Sequence, residues 1–205
     1  MKNYSPFDSL LADLTPSELI RLKEPSEGWY VEYKRGVVPS KELGKSISAF
    51  ANTYGGWLFL GVDEESKSNP VAGSFPGIPE AEVDAAIQKL RKAAVDSINP
   101  TPFFDYKILR GPATEVGLPA GQAVICVHIP RSSKTPHVHK SGSIYRRVAD
   151  SSEPRPETDR FMLDKLWQRG DEIKRQHEVW LESDPEFGEL ETGTFLRVML
   201  DPDPW

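Results

Sequence analysis

Cysteine is almost absent from this chain: among 205 residues there is one, Cys126. An internal disulfide is therefore excluded. A lone thiol inside AVICVHI reads as a small buried strand residue, and a cytoplasmic location is the default. Long hydrophobic runs are missing too. No stretch approaches the length of a membrane span, and MKNYSPFDS at the start has no apolar signal core. There is no internal repeat, no Ser-His-Asp arrangement, no glycine-rich dinucleotide fingerprint, and no Cys-His pair to argue from. What is left is a globular composition, 38% hydrophobic and 27% charged, in a chain long enough to bury a real core.

Acid is scarce in one place. The formal net charge is −6, but residues 1–149 hold 18 Lys/Arg against 16 Asp/Glu, whereas residues 150–205 hold 7 against 15. The acidity belongs to the C-terminal segment and does not argue against a nucleic-acid site elsewhere. Pro130–Arg147, PRSSKTPHVHKSGSIYRR, has five Lys/Arg, two His and no acid. Arg131, Lys134, Lys140, Arg146 and Arg147, with Tyr145 interleaved, suit phosphate contact with base stacking. The plainer reading is a solvated hairpin loop. His137 and His139 alternate as two zinc ligands on a strand would, but nothing nearby completes a closed site, so exposed or phosphate-contacting histidines are expected.

The chain is organised around residues 27–63, which read as strand, helix, strand. Alternation over Trp29–Arg35 places Trp29, Val31 and Tyr33 on one face, and Tyr30, Glu32 and Lys34 on the other. Leu43, Ile47, Phe50, Ala51 and Tyr54 make an apolar stripe on a helix over Lys41–Tyr54. Gly55 stands where a left-handed C-cap is wanted, and Gly56 eases the turn. Trp57–Val62 is apolar throughout, which predicts a strand covered on both faces, with Asp63 and Glu64 at its exit.

Around this unit the pattern predicts short N-terminal helices over residues 5–24. Thr15-Pro16-Ser17-Glu18 forms a capping box there, and Leu10, Leu11, Leu14, Leu19, Ile20 and Leu22 face the core. A loop over 65–79 precedes a helix over Glu80–Ile98 with Val83, Ile87, Leu90 and Ala94 on one side. Strands follow at Phe103–Leu109, Gln122–Ile129 and Ser143–Val148, then a helix over Glu157–Glu178. Residues 179–205 read as an acidic tail, with Phe195–Leu200 as its one apolar run and a candidate edge strand.

The residues Glu27, VEYK (Val31–Lys34), SAFANTYGG (Ser48–Gly56) and GVD (Gly61–Asp63), with GSIYRRV (Gly142–Val148) later on, resemble the Schlafen-type AlbA domain. The resemblance covers about Glu24 to Trp167. It implies a mixed α/β (α+β) fold, a central mixed sheet flanked by helices, over residues 25–178. A helical lead-in (1–24) precedes it and the acidic tail (179–205) follows.

In the family's ribonucleases two glutamates precede a lysine, and a third acid follows the Gly-Gly strand. Glu27, Glu32 and Asp63 match in order and type, with Glu64 the rival for the third place. On that resemblance the three are candidate catalytic residues and ligands for Mg or Mn, which would activate water, with Lys34 contacting phosphate. The plainer reading makes Glu32 and Lys34 a surface pair and Asp63 a turn cap. Those ribonucleases oppose two AlbA lobes, so a single-lobed chain is expected to form a homodimer.

Family members are sometimes described as ATP-binding, and Gly44-Lys45-Ser46 follows the first strand as a phosphate loop would. The motif's first glycine, however, falls on Pro39, which has no N–H to offer, so ATP is not expected. The functional expectation is an RNA- or DNA-binding domain, and the resemblance to the family's ribonucleases extends it to a metal-dependent endoribonuclease acting on tRNA or single-stranded nucleic acid. The alternative is a non-catalytic DNA- or nucleotide-binding regulatory module.

Overall fold

The computed structural model describes residues 4–148 and 151–182. In chain order the elements are β1 (Val31–Lys34), α1 (Ser40–Asn52), β2 (Gly56–Leu60), β3 (Asp63–Glu64), β4 (Ala72–Ser74), β5 (Ile78–Pro79) and α2 (Val83–Ser97). There follow β6 (Ile98–Asn99), β7 (Asp105–Arg110), β8 (Gln122–Ile129), β9 (Val138–His139), β10 (Tyr145–Val148), β11 (Ser151–Pro156) and α3 (Arg160–Glu182). The fold is mixed α/β, as the sequence predicts.

The central sheet runs β1-β2-β8-β7, with β5 paired to the first residues of β8. β1 and β2 are parallel, Val31 opposite Trp57, because α1 carries the chain back between them. β2 and β8 are antiparallel, Leu58 opposite Val127. Period-two alternation divides the core between two faces. Leu58, Leu60, Ile125, Val127 and Ile129 pack with Leu43, Ile47 and Phe50 of α1 and with Val83, Ile87 and Leu90 of α2. Val31, Tyr33, Trp57, Phe59, Val124 and Cys126 pack on the opposite side under Phe7, Leu14, Leu19 and Leu22 of the N-terminal segment. Every residue of β2 is buried, so both faces are covered as its composition requires. Cys126 is a buried free thiol whose pKa burial pushes well up.

Gly55 closes α1 with φ +76°, and its amide donates to the Phe50 carbonyl at 2.9 Å. A Cβ there would lie 2.6 Å from the Arg131 amide nitrogen, so the turn admits only glycine.

The motif residues just before it clamp a distant segment. Asn52 is fully buried. Its Nδ2 donates to the carbonyls of His137 (2.9 Å) and Tyr145 (3.0 Å), while its Oδ1 accepts the His137 amide at 2.8 Å. Thr53 Oγ1 accepts the Arg147 amide at 2.9 Å. Thus SAFANTYGG docks the basic segment 130–147 on the end of α1.

Several sequence expectations need correction. The N-terminal helices are 3-10 turns, Leu11–Asp13 and Pro16–Lys23, with the capping box present and Leu19 and Leu22 buried; Leu10 and Ile20 are exposed. Too few consecutive residues separate the prolines and caps for full α-turns to be worth nucleating. The loop 65–79 contains a two-residue ladder between β3 and β4. β11, written SSEPRP, has no strand signal and is held as a hairpin partner of β10. α3 starts at Arg160 and runs to Glu182, past Glu178. The Phe195–Leu200 run lies outside the described residues.

Replacing Asn52 by alanine would leave two carbonyls and one amide buried without partners. We expect Asn52→Ala to lower stability by about 2–4 kcal/mol in a denaturant titration. A change below roughly 0.5 kcal/mol would mean that the clamp is not formed.

Candidate nucleic-acid interface

β1 delivers Glu32 and Lys34 onto the α1 side of the sheet, but that side is not open. Glu32 is 1% exposed and Arg147 0%. Arg147 Nη1 donates to Glu32 Oε2 at 2.8 Å, and Nε donates to the Gly28 carbonyl at 2.7 Å. The guanidinium lies 4.8 Å from the centre of the Phe50 ring. The other oxygen of Glu32 accepts from Ser46 Oγ at 2.8 Å and from Lys34 Nζ at 3.0 Å. Both carboxylate oxygens are thus occupied. The surface-pair expectation for Glu32 is replaced by a buried ion pair, because β10 and α1 roof that face.

Burial works against the Lys34 ammonium, yet Glu32 and then Glu27 outweigh it and hold its pKa above the ordinary value. Burial lowers the pKa of Arg147, opposed by the same two acids. Glu27, also buried, accepts the Tyr33 amide. Burial first, and then Glu64 and Glu32, raise the Glu27 carboxyl to about 7, against the opposing pull of the Tyr33 amide and Lys34. Asp63 points elsewhere, to Arg35 at 2.6 Å. Of the two rivals for the third acid, Glu64 is the one whose charge reaches Glu27.

Glu27, Glu32 and Asp63 do not fit a metal ion as they stand. Among the described residues no three His, Cys, Asp or Glu side chains are grouped to hold one. Glu32 is neutralised by Arg147 and Lys34, and Asp63 by Arg35.

The basic segment divides in two. Arg131, Lys134 and Lys140 are exposed, whereas Tyr145, Arg146 and Arg147 are buried. Arg147 belongs to Glu32, and Arg146 Nη1 pairs with Glu157 in the loop just after β11. Tyr145 lies under Lys45, whose Nζ is 5.5 Å from the ring centre. A hydrogen bond with Ser141, and further on one with Ser143 and the charges of Lys45 and Lys41, hold its phenol pKa below the ordinary value despite burial. Lys41 and Lys45 of α1 therefore join Lys140 in one positive patch, an addition that the linear acid-free run does not reveal.

His137 and His139 are buried, not exposed as expected. His137 Nδ1 meets the Pro100 carbonyl at 2.6 Å, and His139 Nδ1 meets Ser141 Oγ at 2.9 Å. Burial lowers both pKa values. Gly44-Lys45-Ser46 lies one turn inside α1, with Ser46 committed to Glu32, so it cannot cradle a phosphate at a helix start.

This is a mixed α/β domain in which a basic segment is clamped to the first helix and tied by a buried arginine to the first strand. The family model "Schlafen, AlbA_2" matches residues 27–156, more than half of the chain, and the chain belongs to that family. Among solved structures it is similar to the DIP2311 protein from Corynebacterium diphtheriae, at 20% identity and a TM-score of 0.42, covering 69% of this chain and 23% of that one. The chain therefore spans about a quarter of the length of that structure. No curated protein matched. No helix among the described residues is long and apolar enough to cross a membrane.

The Glu27 shift gives a signed expectation. Its folded pKa of about 7 lies above the ordinary value of 4.5, so folding favours the protonated form. The stability difference between wild type and Glu27→Gln is smallest below pH 4.5 and moves against wild type as pH rises through 7. We expect the Tm of Glu27→Gln to gain on wild type between pH 5 and 8, by an amount on the order of 2–3 kcal/mol when expressed as stability. A difference that does not vary with pH would contradict a buried, protonating Glu27.

Proposed function

We propose that this protein binds nucleic acid through the face carrying Arg131, Lys134 and Lys140, extended by Lys41 and Lys45. One observation carries the reading: the acid-free segment is clamped by Asn52 and Thr53, so these cations sit on a rigid support with their positive ends at the surface. A backbone held this way presents its cations to phosphates with less chain entropy left to lose. Membership of the Schlafen AlbA_2 family supports a role connected with nucleic acid.

Cleavage is a finer reading. It rests on Glu27, whose raised pKa suits a proton-transferring group near neutral pH, and it would require Glu32 to leave Arg147 if an ion were to be held. Pairing of two copies into a groove belongs to the same finer reading.

The test is fluorescence anisotropy with labelled single-stranded RNA, single-stranded DNA and duplex DNA over a series of salt concentrations. We expect binding whose log affinity falls linearly with log salt, and a slope reduced by about one for each of Lys134→Gln and Lys140→Gln. Absence of binding to all three at about 50 mM salt would overturn the proposal. The same samples incubated with Mg²⁺ or Mn²⁺ test cleavage. Light scattering tests self-association, and a monomer that binds would remove the two-lobed groove from the account.

A further inference from the structure

A cleft of about 740 Å³ opens where α3 crosses the end of α1, lined among others by Tyr54, Arg131, Arg146, Leu166 and Arg169. Cations outnumber acids along it. Of its two acids, Glu172 is already bound by Arg175 at 2.9 Å, leaving Asp171. Glu157 pairs with Arg146 through Nη1, whereas Arg169 has no ion pair among the described residues. Arg169 Nη1 and Arg146 Nε are both buried, and neither has a hydrogen-bond partner among the described residues. Arg131 and Arg146 bear on Arg169 as like charges, with Tyr54 as the smallest and opposing influence. Burial first, then Arg131 and Arg146, press its guanidinium down to about 10.

Buried donors on converging cations are costly to leave unmet, and native structures rarely do so without a ligand to supply the acceptors. An oxyanion with several acceptor oxygens answers both needs at once, and the planar donor forks of arginine match a phosphate best. Tyr54 adds a second element to the same wall. Its side chain is 44% exposed, and its ring is held edge-on by Trp29 at 5.5 Å and tilted against Tyr30 at 6.0 Å. A fixed, half-open aromatic ring beside a phosphate subsite is what an unstacked base can lie on. In a duplex the base faces are covered by their neighbours, so the arrangement selects a single strand.

Resting on the nucleic-acid reading above, we propose that this cleft holds one phosphodiester of a single-stranded nucleic acid between Arg131, Arg146 and Arg169, with the adjoining base against Tyr54. Arg169 is the centre of the site and lies in α3, beyond the family match that ends at residue 156.

The experiment titrates a labelled single strand of about ten nucleotides into the full chain, comparing wild type, Arg169→Gln and Tyr54→Ala by anisotropy across salt concentrations, with Tm recorded for each. Arg169→Gln is expected to weaken binding about tenfold or more and to lower the salt slope by about one. Its Tm should be equal or higher, since glutamine removes a half-buried charge whose Nη1 has no partner. Tyr54→Ala is expected to weaken binding about tenfold with the slope unchanged.

Wild-type binding with Arg169→Gln equally tight would overturn the cleft and leave the nucleic-acid reading standing. No binding by wild type would overturn both. Weaker binding accompanied by a lower Tm would show Arg169 supporting the fold rather than the ligand. Full displacement of the strand by uridine monophosphate at equal nucleotide concentration would make the occupant a mononucleotide and overturn the strand.

Discussion

The Glu32–Arg147 ion pair is the contact on which the arrangement of this domain depends. It joins the first strand to a residue more than a hundred positions later, at 2.8 Å, with both side chains out of water. Such a pair need not add net stability, because desolvating two charges consumes most of what their attraction returns. Its effect is on specificity: once Glu32 is buried, any packing that removes Arg147 strands a carboxylate. The hairpin of β10 and β11 is thereby placed on α1, with Asn52 and Thr53 fixing its register from the helix side.

That placement sorts the charges into two populations. Arg147 and Lys34 are consumed by Glu32, and Arg146 is tied to Glu157 through Nη1 alone, its Nε left without a partner. Arg131, Lys134 and Lys140 remain at the surface. The acids sort likewise: Glu32 is neutralised from both sides, Asp63 is tied to Arg35, and Glu27 is left buried with a raised pKa. A positive face with its own acids withdrawn suits an anionic polymer. It also bears on any experiment that removes Glu32, since lost activity in such a variant reports on folding as much as on chemistry.

Much of this was legible in the sequence, because it depends on period and on turn chemistry. The alternation in β1 and the fully apolar β2 foretold which residues face which layer, and Gly55 marked the end of α1. The family resemblance itself was legible, and the family model matches residues 27–156. What stayed hidden depends on long-range burial. Arg147 and Arg146 look the same in YRRV, yet one points into the core and the other toward the cleft. His137 and His139 read as exposed because neighbouring residues are basic, while the β6–β9 ladder takes His139 inside and Asn52 holds the backbone of His137. SSEPRP lacks β-formers and is a strand because β10 lies beside it. Arg169 is one charge among many on an amphipathic helix, and only the convergence of Arg131 and Arg146 on it sets it apart.

The most direct test of the account is a double-mutant cycle on the pair that organises it, with Glu32→Gln and Arg147→Met chosen to preserve size, read by denaturant unfolding. The account predicts that each single change costs about 3–5 kcal/mol, and that the double variant loses much less than their sum, with a coupling of at least about 1 kcal/mol. Additive losses, or a single Glu32→Gln variant as stable as wild type, would show that Glu32 is not held by Arg147 and would return it to the list of available carboxylates.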